Sequence, residues 1–419
     1  MSVISVQGLQ SLKGEIKIQG SKNAALPMMA AALLHKGTTV IRGVPRIQDV
    51  FCMLGILNSL GCICCMEGNT LIIDASELIS AEIPESFVKS MRSSIIAAGA
   101  LLGRCGCAAT SYPGGCSIGK RPIDLHLAAF RALGADISEK EERLMVSARK
   151  LTGSPIYFPY PSVGATENAV LAAVKAEGIT VIYGAAKEPE IIILCQFLNH
   201  MGAEISGIGT SLLTIRGVRA LRDTQYTVDG DRIVAGTYLA AVMASGGEIT
   251  MRGVRPEYMT SALDLAEKMG ADIRRFDNDL EVTVYGRPEA ASLITGPYPR
   301  FPTDLQSPMM AVMSVALGPC RIEETVFEGR FGTAKELQKM GADIIIEGNR
   351  AMIQGLWPLQ GSRVTAGDLR GGAALVVAGL AAEGRTLVEE CRHIERGYED
   401  ICRDLQLLGG QLEEWNDKT

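Results

Sequence analysis

Several things this 419-residue chain lacks narrow the field. No basic run stands out and the net charge is −6, which argues against a non-specific nucleic-acid binder. The opening "MSVISVQGLQSLKGEIKIQG" has no charged head followed by an apolar core, so no secretory signal is expected. The longest apolar runs, such as "GGAALVVAGLAA", are too short and too glycine-rich to cross a bilayer, and a cytoplasmic protein is expected. The eleven cysteines are odd in number and scattered, which reads as reduced, mostly buried thiols. "CICC" and "CGC" have neither paired CxxC spacing nor nearby histidines, so no metal site is expected. What remains is an ordinary globular composition, 47% hydrophobic and 21% charged, in a chain long enough for two cores.

The chain repeats. "NSLGCICC", "RALGADIS", "NHMGAEIS", "EKMGADIR", "QKMGADII" and "QLLGGQLE" each close an amphipathic helix on a glycine. Those glycines, Gly61, Gly134, Gly202, Gly270, Gly341 and Gly409, are 73, 68, 68, 71 and 68 residues apart. Glycine suits the left-handed position that ends a helix. An alternating strand, a turn and a second strand follow in most copies. Ahead of each stands a second helix, apolar nearly all round: "SKNAALPMMAAALL", "MRSSIIAAGALL", "ATENAVLAAVKA", "DRIVAGTYLAAVMA", "TDLQSPMMAVMSVAL" and "LRGGAALVVAGLAA". Such helices belong in a core. Six units of two helices and three to four strands divide into two domains of three, with a break expected near 222–232.

The buried helices start on polar residues. Thr166, Thr303 and Asp368 read as caps. Capping does not explain Lys22, Arg92 or Arg370, because a cation at a helix N-terminus opposes the dipole. An anion bound there would account for them, and a substrate rich in phosphate and carboxylate is implied. The stretch "SYPGGCSIGKRPIDLH" adds a thiol, Cys116, on a glycine-rich loop beside Lys120 and Arg121. Those cations should lower its pKa and make it reactive.

These segments carry a resemblance that runs essentially end to end. "GSKNAALP", "MRSSI", "PGGCSIGKRPIDLH", "SVGATEN", "KEPE", "FPTDLQ", "ETVFE", "GDLRG" and "ERGYE" resemble the UDP-N-acetylglucosamine 1-carboxyvinyltransferases, enolpyruvyl transferases of bacterial peptidoglycan synthesis. The resemblance implies an α/β fold of two inside-out barrels, each of three repeats, with the active-site cleft between them. It assigns 22–229 to one domain and 1–21 with 230–419 to the other. It implies transfer of the enolpyruvyl group of phosphoenolpyruvate to the 3′-hydroxyl of UDP-N-acetylglucosamine with loss of phosphate, by addition and elimination. No metal or organic cofactor is implied. The expected partners are the two small molecules, with no nucleic acid and no membrane, and a monomer is expected.

Residue by residue, Cys116 matches the proton donor, which is also the family's fosfomycin target, and Asp304 matches the base at the sugar hydroxyl. Lys22 and Asn23 match phosphoenolpyruvate contacts, and Arg121 and Arg396 match the arginines on its phosphate and carboxylate, with Lys22 and Arg396 counted among the catalytic residues beside Cys116 and Asp304. Arg92, the run Arg121, Pro122, Ile123, Asp124 and Leu125, the run Ser162, Val163 and Gly164, together with Asp304 and Val326, match UDP-sugar contacts. Departures cluster at "FEGRFGTAKEL", where the family reads like "FENRFMHVPEL", and at "VDGDRIVAGT", where a proline commonly precedes the Asp-Arg pair. Two rivals stand beside this reading. One is a transferase like 5-enolpyruvylshikimate-3-phosphate synthase, in which the cysteine loop has no counterpart. The other is a catalytically silent UDP-sugar-binding regulator.

Overall fold

The computed structural model describes residues 2–112, 119, 122–140 and 143–416. The six repeat glycines all take positive φ: 106° at Gly61, 90° at Gly134, 100° at Gly202, 98° at Gly270, 88° at Gly341 and 86° at Gly409. A side chain at any of them would meet the steric penalty of the left-handed region. This is why the same residue recurs at the same place in every repeat.

The six apolar helices are Lys22–Ala32, Ile96–Cys105, Val163–Ala173, Arg232–Ser245, Gln306–Ser314 and Leu369–Ala381. Every residue of the last two is buried. Each fully buried Leu or Val there contributes roughly 1.5–3 kcal/mol relative to exposure. Helices with no polar face must be surrounded, and here short sheets and the amphipathic helices surround them.

The described residues divide into two compact units, one of 20–112 and 122–228 and the other of 2–19, Gly119 and 229–416. The first of these holds three of the buried helices. Its sheets run 224–227, 38–42, 70–74, 63–67; then 107–111, 143–147, 136–140; then 155–157, 179–183, 212–216, 204–206. The other unit takes 2–19, Gly119 and 229–416. Its sheets run 12–17, 247–252, 279–284, 271–275; then 292–294, 319–323, 350–354, 343–347; then 363–365, 385–389, 2–7, 411–416. One pattern recurs: a parallel outer strand beside three antiparallel strands, as in Ser292–Ile294 alongside Pro319–Glu323. The first strand of the chain, Ser2–Gln7, pairs on one side with Arg385–Glu389 and on the other with Gln411–Asn416.

Among the described cysteines, five are buried, two are half-buried and three, Cys65, Cys105 and Cys107, are exposed; none is in a disulfide. No helix of the described residues is long and apolar enough to cross a membrane. Among them no cluster of His, Cys, Asp or Glu is built to hold a metal ion.

Candidate active site

In the unit spanning 20–228, the helix Lys22–Ala32 opens on Lys22, whose Nζ lies 3.1 Å from Asp49 Oδ2. Pro27 stands inside this helix and has no N–H to give, so the Asn23 carbonyl four residues earlier is not taken by the helix ladder. Pro308 repeats the arrangement relative to Asp304 in the other unit, within the shared string "PMMA". Asn23 and Asp304 are therefore equivalent positions of two repeats, which the sequence reading did not notice. Arg92 begins a short 3-10 turn, Arg92–Ile95, that runs into the buried helix Ile96–Cys105.

Two segments expected at the nucleotide are brought together. Asp124 is the first residue of the helix Asp124–Ala132, and Ser162 caps the helix Val163–Ala173, accepting from Ala165 N. Buried Asn168 joins them. Its Oδ1 accepts from Gly99 N at 2.7 Å, and its Nδ2 donates to Ile95 O at 3.1 Å and to His126 Nδ1 at 2.7 Å. With Nδ1 accepting, the proton of a neutral His126 is on Nε2. A side chain at Gly164 would come within 3.0 Å of the His126 ring, so the "SVG" turn lies flat against it. Residues 122–125 and 162–164 are thus fixed side by side.

Glu167, one turn further along, is fully buried. Burial first, then the Glu190 and Glu188 carboxylates, push its pKa well above the ordinary 4.5. A carboxyl whose folded pKa is raised binds its proton more tightly in the native state. Its contribution to stability is therefore present below about pH 4.5 and is lost as pH rises through the folded value. Glu167→Gln is expected to raise the thermal midpoint at pH 8 and to flatten its fall between pH 5 and 8. Equal slopes for variant and parent in a melting series would contradict this.

In the other unit the starts of three buried helices meet. Asp304 lies in the turn Thr303–Leu305 that leads into Gln306–Ser314. Its Oδ1 accepts from Arg330 Nη2 at 2.7 Å and its Oδ2 from Arg370 Nη2 at 3.1 Å. Both arginines are 3% exposed, whereas the carboxylate keeps 29% of its side-chain surface open. Burial works against the charge on Arg370, but Asp304, then Tyr398 and Asp231, outweigh it and push its pKa above the ordinary value. Arg370 Nε is buried and has no partner among the described residues. A carboxylate gripped at both oxygens and still open to solvent is an oriented acceptor of a proton or hydroxyl.

Glu324, 3% exposed, ties the next loop to this turn. Its Oε2 accepts from Thr303 Oγ1 at 3.0 Å, and its Oε1 accepts from Val326 N at 2.7 Å and Phe327 N at 3.1 Å. The Val326 N–H is therefore occupied. Arg396 stands in a turn held by Gln19, which donates to Gly397 O at 3.0 Å and accepts from Glu399 N at 2.8 Å.

Of the three residues expected as caps, one caps: Asp368 accepts from Arg370 N and Gly371 N. Thr166 sits inside its helix instead, donating to Ser162 O and accepting from Ala186 N, because Ser162 four residues earlier already holds the cap. Thr303 spends its hydroxyl on Glu324. The sequence reading missed Arg330 and Glu324 and did not pair Arg370 with Asp304. The signal for Arg330 was the cation retained within "FEGRFGTAKEL". Cys116, Lys120 and Arg121 lie outside the described residues.

The fold is that of the enolpyruvyl transferases. The crystal structure of the enolpyruvyl transferase NikO from Streptomyces tendae matches with a TM-score of 0.89 at 24% identity, over 99% of this chain and 98% of that one. EPSP synthase from Acinetobacter baumannii matches with a TM-score of 0.77 at 17% identity, over 99% and 100%. The sequence profile of EPSP synthase (3-phosphoshikimate 1-carboxyvinyltransferase) matches residues 6–405. UDP-N-acetylglucosamine 1-carboxyvinyltransferase 2 of Caldanaerobacter subterraneus subsp. tengcongensis is 44% identical over 413 residues, 98% of this chain and 99% of that protein. Its namesake from Carboxydothermus hydrogenoformans is 45% identical over 419 residues, the full length of both. UDP-N-acetylglucosamine 1-carboxyvinyltransferase 1 of Symbiobacterium thermophilum is 46% identical over 413 residues, 97% of this chain and 94% of that protein. With relatives this close over nearly its whole length, the chain belongs to the UDP-N-acetylglucosamine 1-carboxyvinyltransferase family.

Proposed function

We propose that the chain transfers the enolpyruvyl group of phosphoenolpyruvate to the 3′-hydroxyl of UDP-N-acetylglucosamine and releases phosphate, in the cytoplasm, as a step of peptidoglycan synthesis. The observation that carries this reading is the open Asp304 carboxylate held at both oxygens by Arg330 and Arg370. In the addition, the sugar oxygen bonds to the central carbon of phosphoenolpyruvate while its proton passes to Asp304. Cys116 delivers a proton to the methylene carbon. In the elimination, a proton leaves the new methyl group, the double bond re-forms and phosphate departs.

The remaining groups bind and orient. Lys22, Arg121 and Arg396 neutralise the phosphate and carboxylate of phosphoenolpyruvate, with Asn23 at the same helix start. Arg92, the segments 121–125 and 162–164, and Val326 hold the sugar nucleotide. The residues 22–229 and the residues 1–21 with 230–419 are taken as the two inside-out barrels that together supply these groups.

A phosphate-release assay tests the reading. Release from phosphoenolpyruvate is expected with UDP-N-acetylglucosamine and only at background with shikimate-3-phosphate. Release with the shikimate alone would make the chain a synthase of the other kind, and release with neither would make it a silent paralogue.

A further inference from the structure

Tyr398 is almost completely buried, at 2% exposure, yet its hydroxyl lies within a chain of polar groups that ends at Asp304. The direction of that chain can be worked out. Thr237 Oγ1 donates to Ile233 O at 3.0 Å, so its proton is spent. The 2.7 Å contact between Thr237 Oγ1 and Tyr398 Oη must then be a donation from the tyrosine. With its proton directed at Thr237, the phenol oxygen faces Arg370 as an acceptor, 3.5 Å from Nη1. The Arg370 guanidinium also stacks over the tyrosine ring, 5.8 Å from its centroid. Its other terminal nitrogen, Nη2, donates to Asp304 Oδ2.

The guanidinium is thus held at one edge by a carboxylate and at another by a phenol whose own orientation is fixed. Ile233 O belongs to the first turn of the helix Arg232–Ser245, whose N-terminus Asp231 caps. Among the described residues, the charged groups around this chain include Arg330 and Arg370 at Asp304, and Asp304 and Asp231 at Arg370. We propose that Tyr398 is a positioning residue for the reaction: its hydroxyl, locked by Thr237, sets the plane of the Arg370 guanidinium and through it the direction of the Asp304 carboxylate. This rests on the reading of Asp304 as the base.

Steady-state kinetics of Tyr398→Phe and Thr237→Val in the full-length protein test it. The phenylalanine keeps the ring under the guanidinium and removes only the hydroxyl. The valine removes the acceptor that fixes that hydroxyl. Each is expected to lower kcat by about 10- to 100-fold, the range of a one to two unit change in log rate, with KM for both substrates nearly unchanged. The acid limb of the kcat profile should move to higher pH, because a carboxylate less firmly held by a cation is more easily protonated. The double variant should be no slower than the slower single one, since both changes break the same chain. A variant that merely misfolds would lower the active fraction without moving the limb. Wild-type kcat and an unmoved acid limb in a folded Tyr398→Phe, with Asp304→Asn inactive, would overturn the positioning role and leave the base assignment standing. An Asp304→Asn enzyme of normal turnover would instead remove the reading on which the proposal rests.

Discussion

Asp304→Asn is expected to lower turnover by about 10²–10⁴-fold, the usual worth of a positioned acid or base, while both substrates still bind. Asparagine keeps an oxygen for the arginines but cannot accept the sugar proton. Alanine is the poorer test. It would leave Arg330 and Arg370, each 3% exposed, without their shared carboxylate. Breaking a buried ion pair from one side costs roughly 3–5 kcal/mol, enough to confuse lost stability with lost catalysis. Equilibrium binding by calorimetry beside single-turnover rates separates the two. Near-normal turnover in Asp304→Asn would remove the assigned base.

The second large effect concerns Cys116. A thiol among Gly114, Gly115 and Gly119, beside Lys120 and Arg121, should titrate below the ordinary value of about 8.5. Fosfomycin, a small phosphonate epoxide, is expected to alkylate it, and faster when UDP-N-acetylglucosamine is bound. Cys116→Asp should resist the drug and keep activity, because a carboxyl group relays a proton but traps an epoxide poorly. Cys116→Ser should resist it and turn over about 10²–10⁴-fold more slowly, since a hydroxyl is a much weaker acid. Most other cysteines are poor competitors. Burial pushes the Cys62 thiol up to about 11 and those of Cys64, Cys195 and Cys391 up to about 12. Peptide mapping after inactivation checks this, with exposed Cys65, Cys105 and Cys107 as internal controls. An adduct on any of them in place of Cys116 would show the assignment to be wrong.

The parts of this structure that were legible in the sequence are those dictated by local rules. A left-handed turn demands glycine, so six glycines marked six helix ends. A helix apolar on every side demands burial, so six core helices could be read directly. The parts that were not legible depend on long-range meetings. Arg330 and Arg370 stand 26 and 66 residues from Asp304, and no spacing rule links them. Thr166 carried the residue type of a cap, but Ser162 holds that place, and only hydrogen-bond geometry distinguishes them. The Glu324 bridge escaped notice because an acidic residue at a strand end ordinarily faces solvent, whereas here it is 3% exposed and satisfies two backbone N–H groups.

The pairing of Ser2–Gln7 with Arg385–Glu389 and Gln411–Asn416 has a consequence during synthesis. The first strand to leave the ribosome must wait for the last two before it has neighbours. The strand Leu12–Lys17 waits as well, until Gly247–Arg252 has been made. Residues 20–228, by contrast, contain all the partners of their own three sheets and can fold while the rest is still being translated. The order of assembly is therefore the reverse of the order of arrival for the opening segment. A nascent chain whose residue 228 has just cleared the ribosome would carry one finished unit, preceded by two strands still without a sheet.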